Sequence, residues 1–396
     1  MSSGDHVVER KRSPSVHQDE EHDSKRAKTS EDDVHTNGSA HKKNGKHHFS
    51  VASSQSDSVG NETSSQAIHG IEQEHMQEVV ENVYRLRMPK DFFDFWNFSC
   101  RTNPMNPRMA LSAAGIELVG PFDILAGDVD YKPSNLLELQ DLANTHWRYY
   151  YDVPEFQTCL RVTGMGSQLH YGYFRDDPYD LPVFVASNDA GKDCKITEHG
   201  GNLFAAVHKL IETMRDDPSI EDRTPLAELQ EVVKLHAEKF NHSLALSVET
   251  RAHRQAVVTS TWHGAGFVGN EKSSSDNTLA KRHHLSDKDL LHLFEEVCRE
   301  DDIHEEVGKQ RKAKAEEKLD AIGKLTEKDA QDGIYDTTLE LGINIFCYGN
   351  TILHKYAKAH LERGYELFGR DFFRDITKAH IEKRTRGDEL SRLPMK

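Results

Sequence analysis

Trp147-Arg148-Tyr149-Tyr150-Tyr151-Asp152-Val153-Pro154-Glu155-Phe156-Gln157-Thr158 opens the stretch on which the fold class turns. Its aromatic run reads as β and stops at Asp152-Val153-Pro154. β-Favouring residues resume from Phe156 to Val162 and from Gln168 to Phe174, broken by Gly164 and Gly166. After the turn Asp176-Asp177-Pro178, Pro182 to Ala186 predicts another short strand. Downstream, helical spacing covers Asn202 to Met214 and Leu226 to Phe240, and Gln255 to Trp262 reads as a further strand ending in His263-Gly264-Ala265-Gly266. Asn270 to Asn277 is polar and predicts a surface loop; everything after Asp287 is helical in pattern, with breaks near Asp332-Gly333, Gly349-Asn350 and Gly369. Upstream, Met76, Val79, Val80, Val83 and Leu86 recur at helical spacing. Met88-Pro89 then opens a second helix, whose Phe92, Phe93, Phe95 and Trp96 form a core-facing stripe. Strands in the middle with helices grouped on both sides define an α+β protein: a central antiparallel-rich sheet, flanking helices and a helical C-terminal part. The expected division is a tail over 1–73, a lobe of helices then strands over 74–215, and a helical lobe over 216–396.

Residues 1–73 carry almost no periodic apolar positions, so they cannot bury enough surface to offset their ordering entropy and are expected to be disordered. The mean hydropathy of −0.72 agrees. Two basic clusters in the tail, Arg10-Lys11-Arg12 and Lys25-Arg26-Ala27-Lys28, have the spacing of a bipartite nuclear import signal, although short basic clusters are also common in such tails. No apolar run reaches the length of about 18 residues that spans a membrane, and the first thirty residues lack the apolar segment of a secretory signal. The net charge of −16 argues against a sequence-specific DNA-binding groove. It suits a basic partner such as a histone tail, and it equally serves solubility. Five scattered cysteines without a Cys-x-x-Cys pair suggest a reducing compartment, with neither a zinc site nor a disulfide framework.

Candidate chemistry is sparse. Gly264-Ala265-Gly266-Phe267-Val268-Gly269 matches the dinucleotide fingerprint, but loop-like Asn270-Glu271-Lys272-Ser273-Ser274 follows where a helix N-terminus is required. His283, His284 and His292 lie near Asp287 and Asp289 without the spacing of a metal site, and a charged, solvated helix entry accounts for them better. Asp332 sits in a break between helical stretches, just before the apolar run Leu339 to Tyr348. Such loops often present catalytic carboxylates, while an ordinary turn carboxylate explains the residue equally simply.

Several unusual stretches, in order, resemble the histone PARylation factor family. They include Pro89-Lys90-Asp91-Phe92-Phe93-Asp94-Phe95-Trp96, Gly120-Pro121-Phe122-Asp123-Ile124-Leu125-Ala126-Gly127 and the 147–158 segment quoted above. Gly172-Tyr173-Phe174-Arg175-Asp176-Asp177-Pro178, Phe204-Ala205-Ala206-Val207, His263-Gly264-Ala265-Gly266 and Leu339-Glu340-Leu341-Gly342 followed by Phe346-Cys347-Tyr348-Gly349 complete the set. The resemblance implies a nuclear, monomeric accessory protein, inactive as an enzyme on its own. It implies binding to the catalytic domain of a DNA-damage-activated poly(ADP-ribose) polymerase at damaged chromatin. The protein would contribute a carboxylate to a joint active site, directing ADP-ribosylation to serine on histones, and would hold no cofactor itself because NAD is bound by the polymerase. A serine hydroxyl is a weak nucleophile at neutral pH, so a positioned base is the group such a site needs.

Counting back from Leu339-Glu340-Leu341-Gly342, the family's partner-binding aspartate falls on Gln331 and its catalytic glutamate on Asp332. The family's polymerase-contacting Tyr-Arg pair corresponds to Lys281-Arg282. Aspartate withdraws the carboxylate by one C–C bond, about 1.5 Å. These substitutions leave open an alternative, a non-catalytic nuclear module that binds polymerase or histones with a degenerate base. Some members add a Cys/His zinc finger; no cysteine precedes Cys100 here.

Overall fold

The computed structural model describes residues 75–164, 167–247, 252–299 and 306–396. The expected disordered tail and its two basic clusters lie outside the described residues. Helix α1 covers 75–84. Pro89 then stands at the N-cap of α2 (Lys90–Thr102), where its missing N–H leaves nothing unsatisfied. The short α3 (Pro121–Leu125) and α4 (Leu136–Ala143) follow strand β1 (Ile116–Leu118). The aromatic stripe of α2 is core: Phe92 stacks on Phe122 at 4.3 Å between ring centroids, and Phe95 meets Phe204 edge-on at 5.0 Å. Burial of each such ring contributes about 1.5–3 kcal/mol.

The sheet is an antiparallel meander in the order β1-β2-β3-β4-β5, continuing with β2 (Phe156–Val162), β3 (Leu169–Phe174), β4 (Phe184–Asp189) and β5 (Thr197–Glu198). Its register aligns Phe156 with Phe174 and Phe174 with Phe184, whose rings stack at 5.0 Å. Most successive residues of β2 and β3 are buried whichever way they point, with α2 reaching Tyr173 and the loop residues Tyr149, Asp152, Arg254 and His263 reaching His170 and Phe174. Helices α5 (Leu203–Arg215) and α6 (Thr224–Phe240) pack as a pair beyond the sheet. Asp91 stitches the layers together, its Oδ2 accepting from the Tyr173 hydroxyl at 2.6 Å and from the Leu203 amide at the start of α5 at 2.9 Å.

The remaining helices are α7 (Leu279–His283), α8 (Asp287–Cys298), α9 (Glu306–Gln331), α10 (Asp336–Tyr348), α11 (His354–Leu367) and α12 (Asp371–Lys383). α10 is buried along nearly its whole length. Close approach at its crossing with α11 depends on glycine: a Cβ on Gly342 would lie 2.8 Å from the Leu361 amide nitrogen, and one on Gly364 would lie 3.0 Å from the Leu339 Cα. Long-range polar ties hold these helices to the sheet layer. The Tyr365 hydroxyl donates to the buried carboxylate of Glu155 at 2.9 Å, and Arg384 donates to the carbonyls of Tyr150 at 2.6 Å and Phe346 at 3.0 Å. One hydrophobic cluster runs from Val79 to Leu393 and includes side chains on both sides of residue 215.

Two expected strands are not formed. Residues 147–151 are an irregular loop in which Trp147 takes a positive φ of 52°. The buried Arg148 guanidinium gathers the carbonyls of Asn144, Val153 and Phe156, the Tyr149 amide donates to Asp152 Oδ2, and the Tyr150 hydroxyl reaches the Gly349 carbonyl. The aromatics therefore fill interfaces between layers, and backbone bonds that a ladder would use go to side chains. Residues 255–262 likewise make only an isolated bridge, Val257 to Val268, after a 3-10 turn over Ala252–Ala256. The Arg254 guanidinium packs over the Phe174 and Phe184 rings and pairs with Asp176 at 3.0 Å, which draws this segment against the sheet's face. Conversely β1 and β5, three and two residues long, lie below what alternation can signal.

Candidate functional site at the α9–α10 connection

The final residue of α9 is Gln331, and a tight reversal, Asp332-Gly333-Ile334, leads to α10. Three backbone N–H groups close it: Asp332 N–H to Lys328 O at 3.2 Å and Asp329 O at 3.0 Å, Gly333 N–H to Ala330 O at 3.0 Å, and Ile334 N–H to Asp329 O at 2.9 Å. Gly333 takes the left-handed conformation that ends the helix, φ +80°, with the Lys272 ammonium beside it. Gln331 and Asp332 are both exposed at the tip. The Asp332 carboxylate accepts no hydrogen bond among the described residues.

Asp329 builds the site from beneath. An acidic residue in the last turn of a helix opposes the helix dipole and calls for partners. It has three: Arg282 Nη2 at 2.8 Å and His283 Nε2 at 2.6 Å, both from α7, and the Thr337 hydroxyl of α10 at 2.9 Å. Burial would raise its pKa, but the hydrogen bonds from Arg282, His283 and Thr337 and the charge of His283 hold the carboxyl below its ordinary value. The same pairing raises Arg282, with a smaller contribution from the Asp332 charge. Arg282 thus binds Asp329 while lying near enough to Asp332 to sense it, with 29% of its side-chain surface exposed.

α7 is itself anchored. Thr278 caps it through its hydroxyl, and the Leu279 amide donates to Glu340 Oε2 at 2.7 Å, Glu340 belonging to α10. Burial, then the neighbouring charge of Asp287, pushes the Glu340 pKa up to about 7. The 270–277 loop is bolted to the same helix by the Ser273 hydroxyl, which donates to Asp336. Residues 270–274 are indeed loop after Gly269, followed only by a three-residue 3-10 turn over Ser275–Asn277, so among the described residues no α-helix N-terminus follows the glycine-rich turn directly.

Of the residues singled out from sequence, Arg282 lies near enough to Asp332 to feel its charge although the two lie on separate segments, and among the described residues they form no ion pair. Lys281 and Gln331 stand exposed on the same two helix ends, without a mutual hydrogen bond or ion pair among the described residues. The structural role of Asp329 was missed, and the acidic residue at a helix C-terminus was the available signal. His283 serves this pair; His292 lies on α8, in the groove facing α9. Among the described residues no helix is long and apolar enough to cross a membrane.

The described residues thus combine an antiparallel sheet and packed helices with an anchored helical reversal that presents the exposed Asp332 carboxylate. The family model for histone PARylation factor 1 matches residues 75–384. The chain is 36% identical to histone PARylation factor 1 of Mus musculus over 324 residues, covering 78% of this chain and 87% of the relative. It is 35% identical to that of Danio rerio (81% and 88% covered) and 34% identical to that of Bos taurus (79% and 88%). This protein belongs to the histone PARylation factor 1 family.

Proposed function

We propose that this protein docks on the catalytic domain of a poly(ADP-ribose) polymerase and lends it Asp332 as a general base, directing ADP-ribosylation to serine on histones and other nuclear proteins at sites of DNA damage. The supporting observation is Asp332 itself, an exposed carboxylate without a hydrogen-bond partner among the described residues, on a reversal whose backbone is tied at three points. A base must be ionised and correctly placed as the hydroxyl attacks the ribose carbon, and an anchored loop provides placement at little entropic cost. Arg282, with Lys281 and Gln331 beside it, forms the docking face. NAD belongs to the polymerase, and this chain supplies neither cofactor nor a complete active site. A non-catalytic docking module is the second reading, favoured by the short reach of Asp332 relative to glutamate.

The test mixes purified protein with polymerase, DNA breaks, NAD and a histone peptide, and reads acceptor sites and binding separately. Asp332→Ala should abolish serine modification with the polymerase Kd unchanged, because a base acts on the transition state. Asp332→Glu should retain or raise the rate. Arg282→Ala should weaken binding about tenfold or more, as interface arginines commonly do. Robust serine modification by Asp332→Ala removes Asp332 from the mechanism. Negligible serine modification already in the unaltered protein selects the docking module.

A further inference from the structure

Arg282, the arginine of the proposed docking face, is carried by a helix of only five residues, α7. Little more than one turn of helix has no stability of its own, so tertiary ties decide where its side chains stand. We propose that Asp329 is a positioning residue for docking, holding Arg282 in the orientation that meets the partner without touching the partner itself. This role presupposes that Arg282 docks, as proposed above.

The two carboxylate oxygens of Asp329 divide the labour. Oδ2 accepts from His283 Nε2 at 2.6 Å and from the Thr337 hydroxyl at 2.9 Å, which fixes the carboxylate between α7 and α10. Oδ1 accepts from Arg282 Nη2 at 2.8 Å. Thr278 and Glu340 fix the start of α7, and Asp329 fixes its end through two side chains. Directly after them His284 turns left-handed, φ +54°, and the helix stops.

Exposure separates the roles of the pair. Only 5% of the Asp329 side chain is exposed, against 29% of the Arg282 side chain. A partner can reach the guanidinium but not the carboxylate behind it. Arg282 gives Nη2 to Asp329, and its Nε and Nη1 make no hydrogen bond among the described residues, so both remain for an acceptor on the partner. A long arginine side chain that is free to rotate must be ordered when it binds, and that ordering weakens association. Asp329 completes the ordering in the free protein.

The experiment measures the Kd of the full-length protein for the polymerase catalytic domain across a double-mutant cycle of Asp329→Asn and Arg282→Ala, with a melting temperature for every variant. Asp329→Asn should weaken binding about three- to tenfold, the range set by ordering one such side chain. Once Arg282 is gone Asp329 has nothing left to position, so the double variant should bind no more weakly than Arg282→Ala. Thr337→Val removes a hydrogen bond from Asp329 but keeps the ion pair with Arg282. It should lower the melting temperature while Kd stays within about twofold of the parent, a split that a purely structural role would not produce. Asp329→Glu keeps the charge and moves the carboxylate by one C–C bond, about 1.5 Å. Its Kd should lie between those of the parent and Asp329→Asn, and the difference should vanish in the Arg282→Ala background, which decides the matter even if Asp329→Asn does not fold. An unchanged Kd in the Asp329 variants, with Arg282→Ala weakened, overturns the positioning role and leaves the docking reading standing. Equal fold-losses from an Asp329 substitution with and without Arg282 overturn it as well. An unchanged Kd in Arg282→Ala removes the docking reading, and the role of Asp329 with it.

Discussion

Asp329 and Asp332 lie three positions apart and have opposite surroundings. Asp332 projects into solvent, whereas Asp329 is buried and accepts from Arg282, His283 and Thr337, joining α7, α9 and α10 at one carboxylate. Asp329→Asn should therefore cost about 1–3 kcal/mol, since the amide cannot serve every donor and leaves Arg282 without its ion pair. The pH dependence has a defined sign. The folded-state pKa lies below the ordinary 3.8, so the stabilisation is complete above that value and is lost as pH falls through the folded-state pKa. Melting curves should show the variant losing less stability than the parent across the acid limb. Parallel acid limbs would mean that Asp329 contributes no charge-dependent stability.

At the scale of elements, α10 is the member to which the others are fitted. Gly342 admits the α11 backbone, so Gly342→Ala should destabilise by about 1–3 kcal/mol through overpacking, read from denaturant midpoints, although alanine is the better helix former. Glu340 gives a prediction of the opposite sign. Its carboxyl titrates near 7 when folded against an ordinary 4.5, so its favourable state is fully present below 4.5 and is lost as pH rises through 7. Glu340→Gln keeps an acceptor for the Leu279 amide without the buried charge. It should raise stability by about 1–3 kcal/mol at about pH 8, with the gain gone near pH 4.5; an equal gain at both pH values would exclude ionisation as the cause. The legibility of these elements follows from their physics. α5, α6, β2, β3 and the breaks at 332, 349 and 369 were readable because periodic apolar positions and turn residues coincide there. The 147–151 loop was misread because Arg148 gathers backbone carbonyls of Asn144, Val153 and Phe156 and the Tyr150 hydroxyl reaches distant Gly349, which no local pattern contains. Likewise Asp332 was legible as a carboxylate in a break between helices while its role entered only with the resemblance, and the partners of Asp329, which lie on other helices, had no local signal.

Across the whole molecule, the sheet is a local meander between residues 116 and 198, and α10, α11 and α12 pack as sequence neighbours. The ties between the two are distant in sequence: Glu155 with Tyr365 is 210 positions apart, and Tyr150 with Arg384 is 234. That separation carries a kinetic consequence. Local contacts form before loop-closure entropy is spent on remote ones, so the seam between sheet and helices should close after the folding transition state. Tyr365→Phe keeps the ring against Phe373 and removes only the hydroxyl at this seam. Its effect should fall on the unfolding limb of the chevron, about 5–30-fold faster, with the refolding limb almost unmoved. A variant that instead refolds more slowly and unfolds at the parental rate would place the seam in the folding nucleus. In the expected case the Tyr365 hydroxyl sets how long each folded molecule lasts before it opens, while leaving the time it takes to fold unchanged.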